Sequence, residues 1–286
     1  MRHVTCVDNS FKAWENGNPY IHNPWHFHPE CEITYIEKGE GVLYVGDTAV
    51  DYEDNMLLVF GPNLPHELRA KNKIIPDNYS KTYSIHFYKD FMGTRFLELP
   101  EILPVVKLLE NATRGIAIYN SPVIDMFKSL MQELLIATGV RRVTTLLNIL
   151  ELIAADTTNI TLLSSPVFGQ AKVSGQDTRV NSIYKYVMEN FKDQISLERL
   201  SEEFCMTPTS FCRFFKKRTS KSFIEYLNEV RVGYACKLML EGHFTIAQVA
   251  YESGDLNLSN FHKQFKKIKK TTPSQFILQI GSTLKG

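Results

Sequence analysis

Between His22 and about Tyr88 the apolar residues come in short runs rich in β-branched and aromatic side chains: Glu32 to Ile36, Val42 to Val45, Met56 to Phe60 and Thr82 to Phe87. Turn-forming residues separate them, as at Lys38-Gly39-Glu40-Gly41 and Gly61-Pro62-Asn63. Many short strands at this spacing predict a β-barrel or sandwich. From Ile102 onward the period changes. After Ser121-Pro122 the apolar positions Ile124, Phe127, Leu130, Met131, Leu134 and Leu135 fall at three-four spacing, which predicts an amphipathic helix. A second helix is predicted over Val143 to Ala155. Leu162 to Thr178 is rich in Ser, Gly, Gln and Pro without periodicity and reads as a linker. From Arg179 to near Ile280 the pattern is helical again. These shifts divide the chain into a first domain over residues 1–160, a linker over 161–178 and an all-α domain over 179–286.

The last third contains an internal repeat. Phe211-Cys212-Arg213-Phe214-Phe215-Lys216-Lys217 aligns with Phe261-His262-Lys263-Gln264-Phe265-Lys266-Lys267. Upstream, Leu197, Leu200 and Ser201 align with Ile246, Val249 and Ala250, with a slip of one residue between the blocks. Each copy fits helix, turn, helix. In the first, Ser196 caps a helix whose Leu197, Leu200 and Phe204 share a face; Cys205-Met206 turn, and Thr207 caps a second helix with Pro208 at its first position. In the second, Thr245 is the cap, Ser253-Gly254-Asp255 the turn, and Leu258 to Lys267 the second helix. Small residues at Ser201 and Ala250 allow close helix crossing. Between the copies, Ser222 to Leu240 reads as one helix ended by Gly242, roughly 27 Å long at 1.5 Å per residue. That length holds two units near one duplex turn apart, roughly 34 Å.

Charge makes this repeat informative. Residues 179–286 carry 17 Lys and Arg against 10 Asp and Glu, a surplus of seven positive charges; residues 1–178 carry 15 against 21. A basic back half points to a polyanionic partner for that half. In each second helix the phenylalanines four apart face a core, while short hydrogen-bonding residues come early and cations late on the opposite face. Such a helix suits a major groove, with N-terminal side chains at base edges and Lys and Arg at phosphates. The predicted DNA-binding residues are Thr207, Thr209, Ser210, Arg213, Lys216 and Lys217 in the first unit. In the second they are Asn257, Ser259, Asn260, His262, Lys263, Lys266 and Lys267. A helical bundle with solvated basic faces is the plainer alternative, and either copy alone would not decide against it.

Residues 179 to 280 resemble the DNA-binding domain of the AraC/XylS family of transcription regulators. The resemblance rests on Phe211-x-Arg213-x-Phe215-Lys216-Lys217, on Ser222-Phe223-Ile224-Glu225-Tyr226-Leu227-Asn228-Glu229-Val230-Arg231, on Ile246-Ala247-Gln248-Val249-Ala250 and on Thr272-Pro273-Ser274-Gln275-Phe276. It implies two helix-turn-helix units reading successive major-groove faces of double-stranded DNA, a homodimer, and RNA polymerase as a partner if the protein activates. Gly254 is followed by Asp255 where the family has Phe, and Ser220 and Thr271 stand where Gly is common. These departures predict that the first unit, through Thr209, Ser210 and Arg213, dominates specificity.

The front of the chain carries His26-x-His28-x3-Glu32-x6-Gly39, and later Gly61-Pro62-Asn63-Leu64-Pro65-His66. On a strand, positions 26, 28 and 32 share parity and so one side. The two segments resemble the first and part of the second cupin motif, in which three His and one Glu hold a metal inside a small barrel; the glycine usual before the second-motif His is missing at His66. The resemblance implies an α+β multidomain protein, a cupin-like barrel with flanking helices ahead of the two helix-turn-helix units. Three readings of the barrel residues stay open. His26, His28, Glu32 and His66 hold a divalent transition metal such as Fe, Ni, Zn or Mn; His26, His28, Glu32, Thr34 and His66 contact a small polar effector, a sugar or an acid; or the histidines are structural. His86 falls on a predicted strand near the pocket and reads as a satisfied core residue.

The chain is expected to be cytoplasmic: it shows no basic-then-apolar leader and no run of about 20 apolar residues. Cys6, Cys31, Cys205, Cys212 and Cys236 are odd in number and lack metal-site spacing, so free thiols are expected. No Ser-His-Asp set or phosphate-binding Gly loop is present. The reading is therefore a non-enzymatic, effector-controlled regulator. Its rivals are a metal-dependent cupin enzyme (an isomerase or dioxygenase) fused to a DNA-binding module, and a constitutive DNA binder with a vestigial barrel.

Overall fold

The computed structural model describes residues 9–18, 22–71, 80–156, 158–165, 178–219 and 221–283. Most of the predicted linker, residues 166–177, and Ser220 lie outside the described residues. The chain forms two compact units, residues 1–43 with 50–163 and residues 44–49 with 164–286.

The first unit is built on strands β1 (Phe11–Asn18), β2 (His22–His26), β3 (Cys31–Lys38), β4 (Gly41–Val45), β5 (Thr48–Tyr52), β6 (Met56–Phe60), β7 (His66–Ala70) and β8 (Ser80–Phe87). Helix α1 (Leu103–Ala112), strand β9 (Ile116–Ile118), helices α2 (Val123–Ile136) and α3 (Gly139–Ala155) and strand β10 (Ile160–Leu162) follow. One sheet has the order β1-β8-β3-β6-β9-β10, the other β2-β7-β4-β5. Thr161 and Leu162, read from sequence as linker, instead close the first sheet at β10. The strand β1 ahead of His22 and the short strands β9 and β10 are not visible in the sequence pattern, and α3 begins four residues before Val143.

The pleat sorts the side chains of the larger sheet. Odd-numbered residues Cys31, Ile33, Tyr35, Leu57, Val59, Ile85 and Phe87 pack with Leu108, Phe127, Met131, Leu146 and Ile149 in one core. Helices cover this face, and each fully buried aliphatic side chain contributes roughly 1.5–3 kcal/mol. Even-numbered neighbours on β3 and β8, Glu32, Thr34 and Ser84, point the other way and are also buried. Polar residues inside a barrel must bond one another, and this requirement builds the site described below.

The second unit is all helical: α4 (Thr178–Asn190), α5 (Leu197–Glu203), α6 (Pro208–Thr219), α7 (Phe223–Glu241), α8 (Ile246–Glu252), α9 (Leu258–Lys269) and α10 (Pro273–Thr283). The predicted caps are present. The Ser196 hydroxyl accepts from the Arg199 N–H, and Ser222 and Thr245 each form a full capping box, with Glu225 and Gln248 respectively. Gly242 ends α7 in the left-handed region, φ 72°. Phe211 and Phe215 of α6 pack on Phe223 of α7 with ring centroids 5.5 and 5.7 Å apart. Phe261 and Phe265 of α9 sit in a core with Val232, Ala235, Met239, Val249 and Ala250. The long helix α7 is thus buried by the first helix pair near its start and by the second near its end. Ser201 and Ala250 are both buried, as close crossing requires. Among the described residues no helix is long and apolar enough to cross a membrane.

Candidate functional site

Burying the phenylalanines turns the other face of each second helix outward. Thr207, Thr209, Ser210, Arg213, Lys216 and Lys217 of the first pair are all exposed. So are Asn257, Ser259, Asn260, Lys263, Lys266 and Lys267 of the second, while His262 is half-buried. Some of these side chains already have work within the fold. Thr207 accepts from the Ser210 N–H, and Asn257 accepts from the Asn260 N–H, so both act as helix caps. The Asn260 amide also donates to Asp255 at 3.0 Å. The Lys267 ammonium stands 3.8 Å from the Glu225 carboxylate. Bonds from the Ser222 N–H and hydroxyl, then the charges of Lys267 and Lys216, hold the Glu225 carboxyl below its usual range. One carboxylate thereby feels the cationic ends of both α6 and α9, which brings those two ends to one region of the unit. Arg213, Lys263 and Lys266 have no ion pair among the described residues.

Two exposed residues at the start of α9 carry no charge and escaped the sequence reading. Leu256 and Leu258 flank the Asn257 cap and are 63% and 44% exposed. Leu256 falls outside the three-four pattern of Phe261 and Phe265, whereas Leu258, three residues before Phe261, fits that pattern and is nonetheless exposed. Cys212, beside Arg213, is exposed as well.

The barrel gathers the histidines. His26 ends β2, His28 lies in the following connection, Glu32 is the second residue of β3 and His66 the first of β7. They do not share one strand. They meet because the chain reverses between residues 27 and 30 and because His26 and His66 are register partners across β2 and β7. The loop carrying His66 is fixed at two points. The Gly61 N–H donates to Ala112 O at 2.6 Å, an approach that leaves no room for a Cβ, and the Asn63 N–H donates to His28 O at 2.8 Å. Asn63 takes φ 59°, a conformation Asn tolerates.

Ligand atoms of His26, His28, Glu32 and His66 all lie within 4.8 Å of one another. Each of the three imidazoles donates its Nδ1–H to a main-chain carbonyl two residues away: His26 to Pro24 at 2.7 Å, His28 to Glu30 at 3.1 Å and His66 to Leu64 at 2.8 Å. These bonds fix the tautomer and turn the Nε2 atoms inward. His28 Nε2 is 2.8 Å and His66 Nε2 3.2 Å from Glu32 Oε2. The other carboxylate oxygen, Oε1, accepts from the Thr34 hydroxyl at 2.5 Å, and Thr34 is in turn 3.0 Å from Ser84 Oγ. Glu32 and His66 are 2% and 1% exposed. Burial alone would push the Glu32 carboxyl up. The charge of His86 and hydrogen bonds from His28, His66 and His86 outweigh it and hold the carboxyl well below its usual range. His26 is pushed down to about 3, first by burial and then by His66 and His28. With their Nδ1 atoms so engaged, the His28 and His66 rings turn Nε2 toward the Glu32 carboxylate.

A barrel enclosing a polar chamber and a tandem of helix pairs with outward basic helices define a two-domain class of DNA-binding helix-turn-helix proteins. The comparisons with known proteins agree with it. Residues 200–279 match the helix-turn-helix domain family and residues 19–73 the cupin domain family. Over 97 residues the chain is 32% identical to the bifunctional transcriptional activator/DNA repair enzyme AdaA of Bacillus subtilis, covering 34% of this chain and 46% of that protein. Over 58 residues it is 36% identical to the TCP pilus virulence regulatory protein of Vibrio cholerae, 20% of this chain and 21% of that one. The alignments thus span less than half the length of either relative. A solved structure of ToxT from Vibrio cholerae covers 94% of this chain at 15% identity, with a TM-score of 0.39, too low to carry an argument. The chain thus carries a helix-turn-helix domain behind an N-terminal cupin domain, an arrangement similar to that of AraC-type regulators.

Proposed function

We propose that this protein is a sequence-specific, AraC-type transcription regulator that acts in the cytoplasm, grips double-stranded DNA through α6 and α9, and answers to a small polar effector in the barrel. One observation carries the DNA reading: two helices of the same pattern expose Arg213 and Lys263, residues at equivalent positions of the repeat, on surfaces rich in exposed cations. Thr209, Ser210 and Arg213 read base edges in one major-groove face. Lys216, Lys217, Lys263 and Lys266 meet phosphates. Leu256 and Leu258, with Ser259, serve α9, where exposed leucines suit thymine methyl groups. Thr207 and Asn257 contribute mainly as caps. The experiment is a salt titration on a duplex selected by the protein. Releasing counterions from the phosphates it neutralises gives log affinity a slope of about −3 to −5 against log salt. A slope near zero overturns the DNA reading.

A second reading concerns the barrel, and the converging Nε2 atoms favour it. Three imidazoles and one carboxylate with fixed tautomers fit a divalent transition metal held by His26, His28, Glu32 and His66; such a nitrogen-and-oxygen set suits Fe, Ni, Zn or Mn. A bound cation would supply a Lewis-acid anchor for the oxygen atoms of a sugar or acid effector. Thr34, hydrogen-bonded to Glu32 and close to Ser84, holds the carboxylate in place. Elemental analysis of untagged protein is expected to show one metal per chain. It is expected to show none in the Glu32→Ala, His66→Ala double variant. Metal-free wild-type protein that also takes up none on titration retires the metal and leaves the histidines to an organic effector. An effector in this chamber biases DNA binding only if it binds two states of the protein with different affinity. Dimerisation and contact with RNA polymerase are part of the same proposal.

A further inference from the structure

His86 stands apart from the four converging groups, and its position assigns it a different task. It is the cross-strand register partner of Glu32 on β8. Its Nε2 lies 3.1 Å from Glu32 Oε2, the same oxygen that faces His28 and His66. Its ring stacks on His28, with centroids 4.4 Å apart and planes at 29°, and the indole of Trp14 meets it edge-on at 4.8 Å. The groups whose ligand atoms lie mutually within 4.8 Å are His26, His28, Glu32 and His66; His86 is not among them.

The hydrogen bonds draw the same line. His26, His28 and His66 each have Nδ1 engaged by a carbonyl at i±2, which turns Nε2 inward. His86 has no main-chain bond of this kind among the described residues. Its ring can carry the hydrogen on Nε2, where the Glu32 carboxylate stands 3.1 Å away. Besides His28 and His66, Glu32 thus has a flanking partner on each oxygen: Thr34 on Oε1 and His86 on Oε2.

On the metal reading given above, we propose that His86 is a positioning residue of the barrel site. It donates from Nε2 to Glu32, fixes the carboxylate toward His26, His28 and His66, and is not itself a metal ligand. Outer groups of this kind typically change metal affinity by about 10- to 100-fold while leaving the ligand set unaltered. The side chain needs only a donor at the right reach, so glutamine can replace it and alanine cannot.

Cobalt(II) tests this, because its visible absorption bands report the ligand set while the titration reports affinity. Full-length wild type, His86→Ala, His86→Gln and His66→Ala are titrated with the metal alone. The expected result is that His86→Ala binds about 10- to 100-fold more weakly with bands at the wild-type positions. His86→Gln binds nearly as tightly as wild type, and His66→Ala shows altered bands or none. Shifted bands in His86→Ala or His86→Gln would make His86 a ligand, and unchanged affinity in His86→Ala would make it a spectator; either result overturns the proposal. If His86→Ala does not fold, the wild-type band positions and near wild-type affinity of His86→Gln remain the required result. Failure of the wild type to bind cobalt is a separate outcome: it removes the metal reading itself and His86's role with it.

Discussion

Replacing Gly254 with alanine is expected to cost the helical unit about 3 kcal/mol or more, and with it most DNA binding by α9. Gly254 sits in the turn between α8 and α9 with φ 88°, a region where a side chain is strained. A Cβ built there would also lie 2.4 Å from Phe191 O and 2.9 Å from Lys192 Cα, both main-chain atoms that cannot swing aside. The turn is pressed against the end of α4, so relief requires the second helix pair to move away from it. Gly242 provides the control. It has φ 72° but nothing within 4 Å of a built Cβ, so Gly242→Ala isolates the conformational cost, about 1–2 kcal/mol. Urea unfolding of both variants measures the difference. Equal midpoints for the two would show that the close approach at Phe191 does not hold the unit together.

Arg213→Ala is expected to weaken binding to a selected duplex by about 1–3 kcal/mol and to relax base preference where α6 contacts the groove. Arg213 is exposed, unpaired among the described residues, and carries a planar fork that fits guanine bidentately. Lys263, at the equivalent place in α9, offers a point charge. Lys263→Ala is therefore expected to lower affinity by a similar factor for every sequence, as a phosphate contact does. The asymmetry follows from the second unit's own chemistry: Asn257 and Asn260 are tied up with each other and with Asp255, and the neighbouring exposed residues are leucines. Competition binding against a panel of single-base variants reads both effects. Unchanged preference in Arg213→Ala together with lost preference in Lys263→Ala would reverse the assignment.

The helical unit was legible because its signals are local. Phenylalanines four apart, Ser, Thr and Pro at helix starts and a glycine after α7 each act within a few residues, and the repeat states them twice. The barrel strands from β3 to β8 were legible for a similar reason, through β-branched and aromatic runs. β9 and β10 were not. Three residues show no alternation, and Ile116–Ile118 becomes a strand by pairing with β6 and β10 across long stretches of chain. β1 hides because Asn16, Gly17 and Asn18 are residue types that favour turns, while pairing with β8 holds them extended. The site divides in the same way. The spacing of His26, His28 and Glu32 announces a cluster, although the turn between strands rather than shared parity brings it together. His86 could not be placed from sequence, because only the register of β3 against β8 sets it beside Glu32.

Selection of bound duplexes from a random pool by the full-length protein addresses the DNA claim without intermediaries. The account predicts an asymmetric consensus of two short elements about one helical turn apart, centre to centre. The element lost in Arg213→Ala would be the more sharply defined, and thymines would recur in the element read by α9. Enrichment of no sequence, or of a single element indifferent to both Arg213 and Lys263, would contradict it.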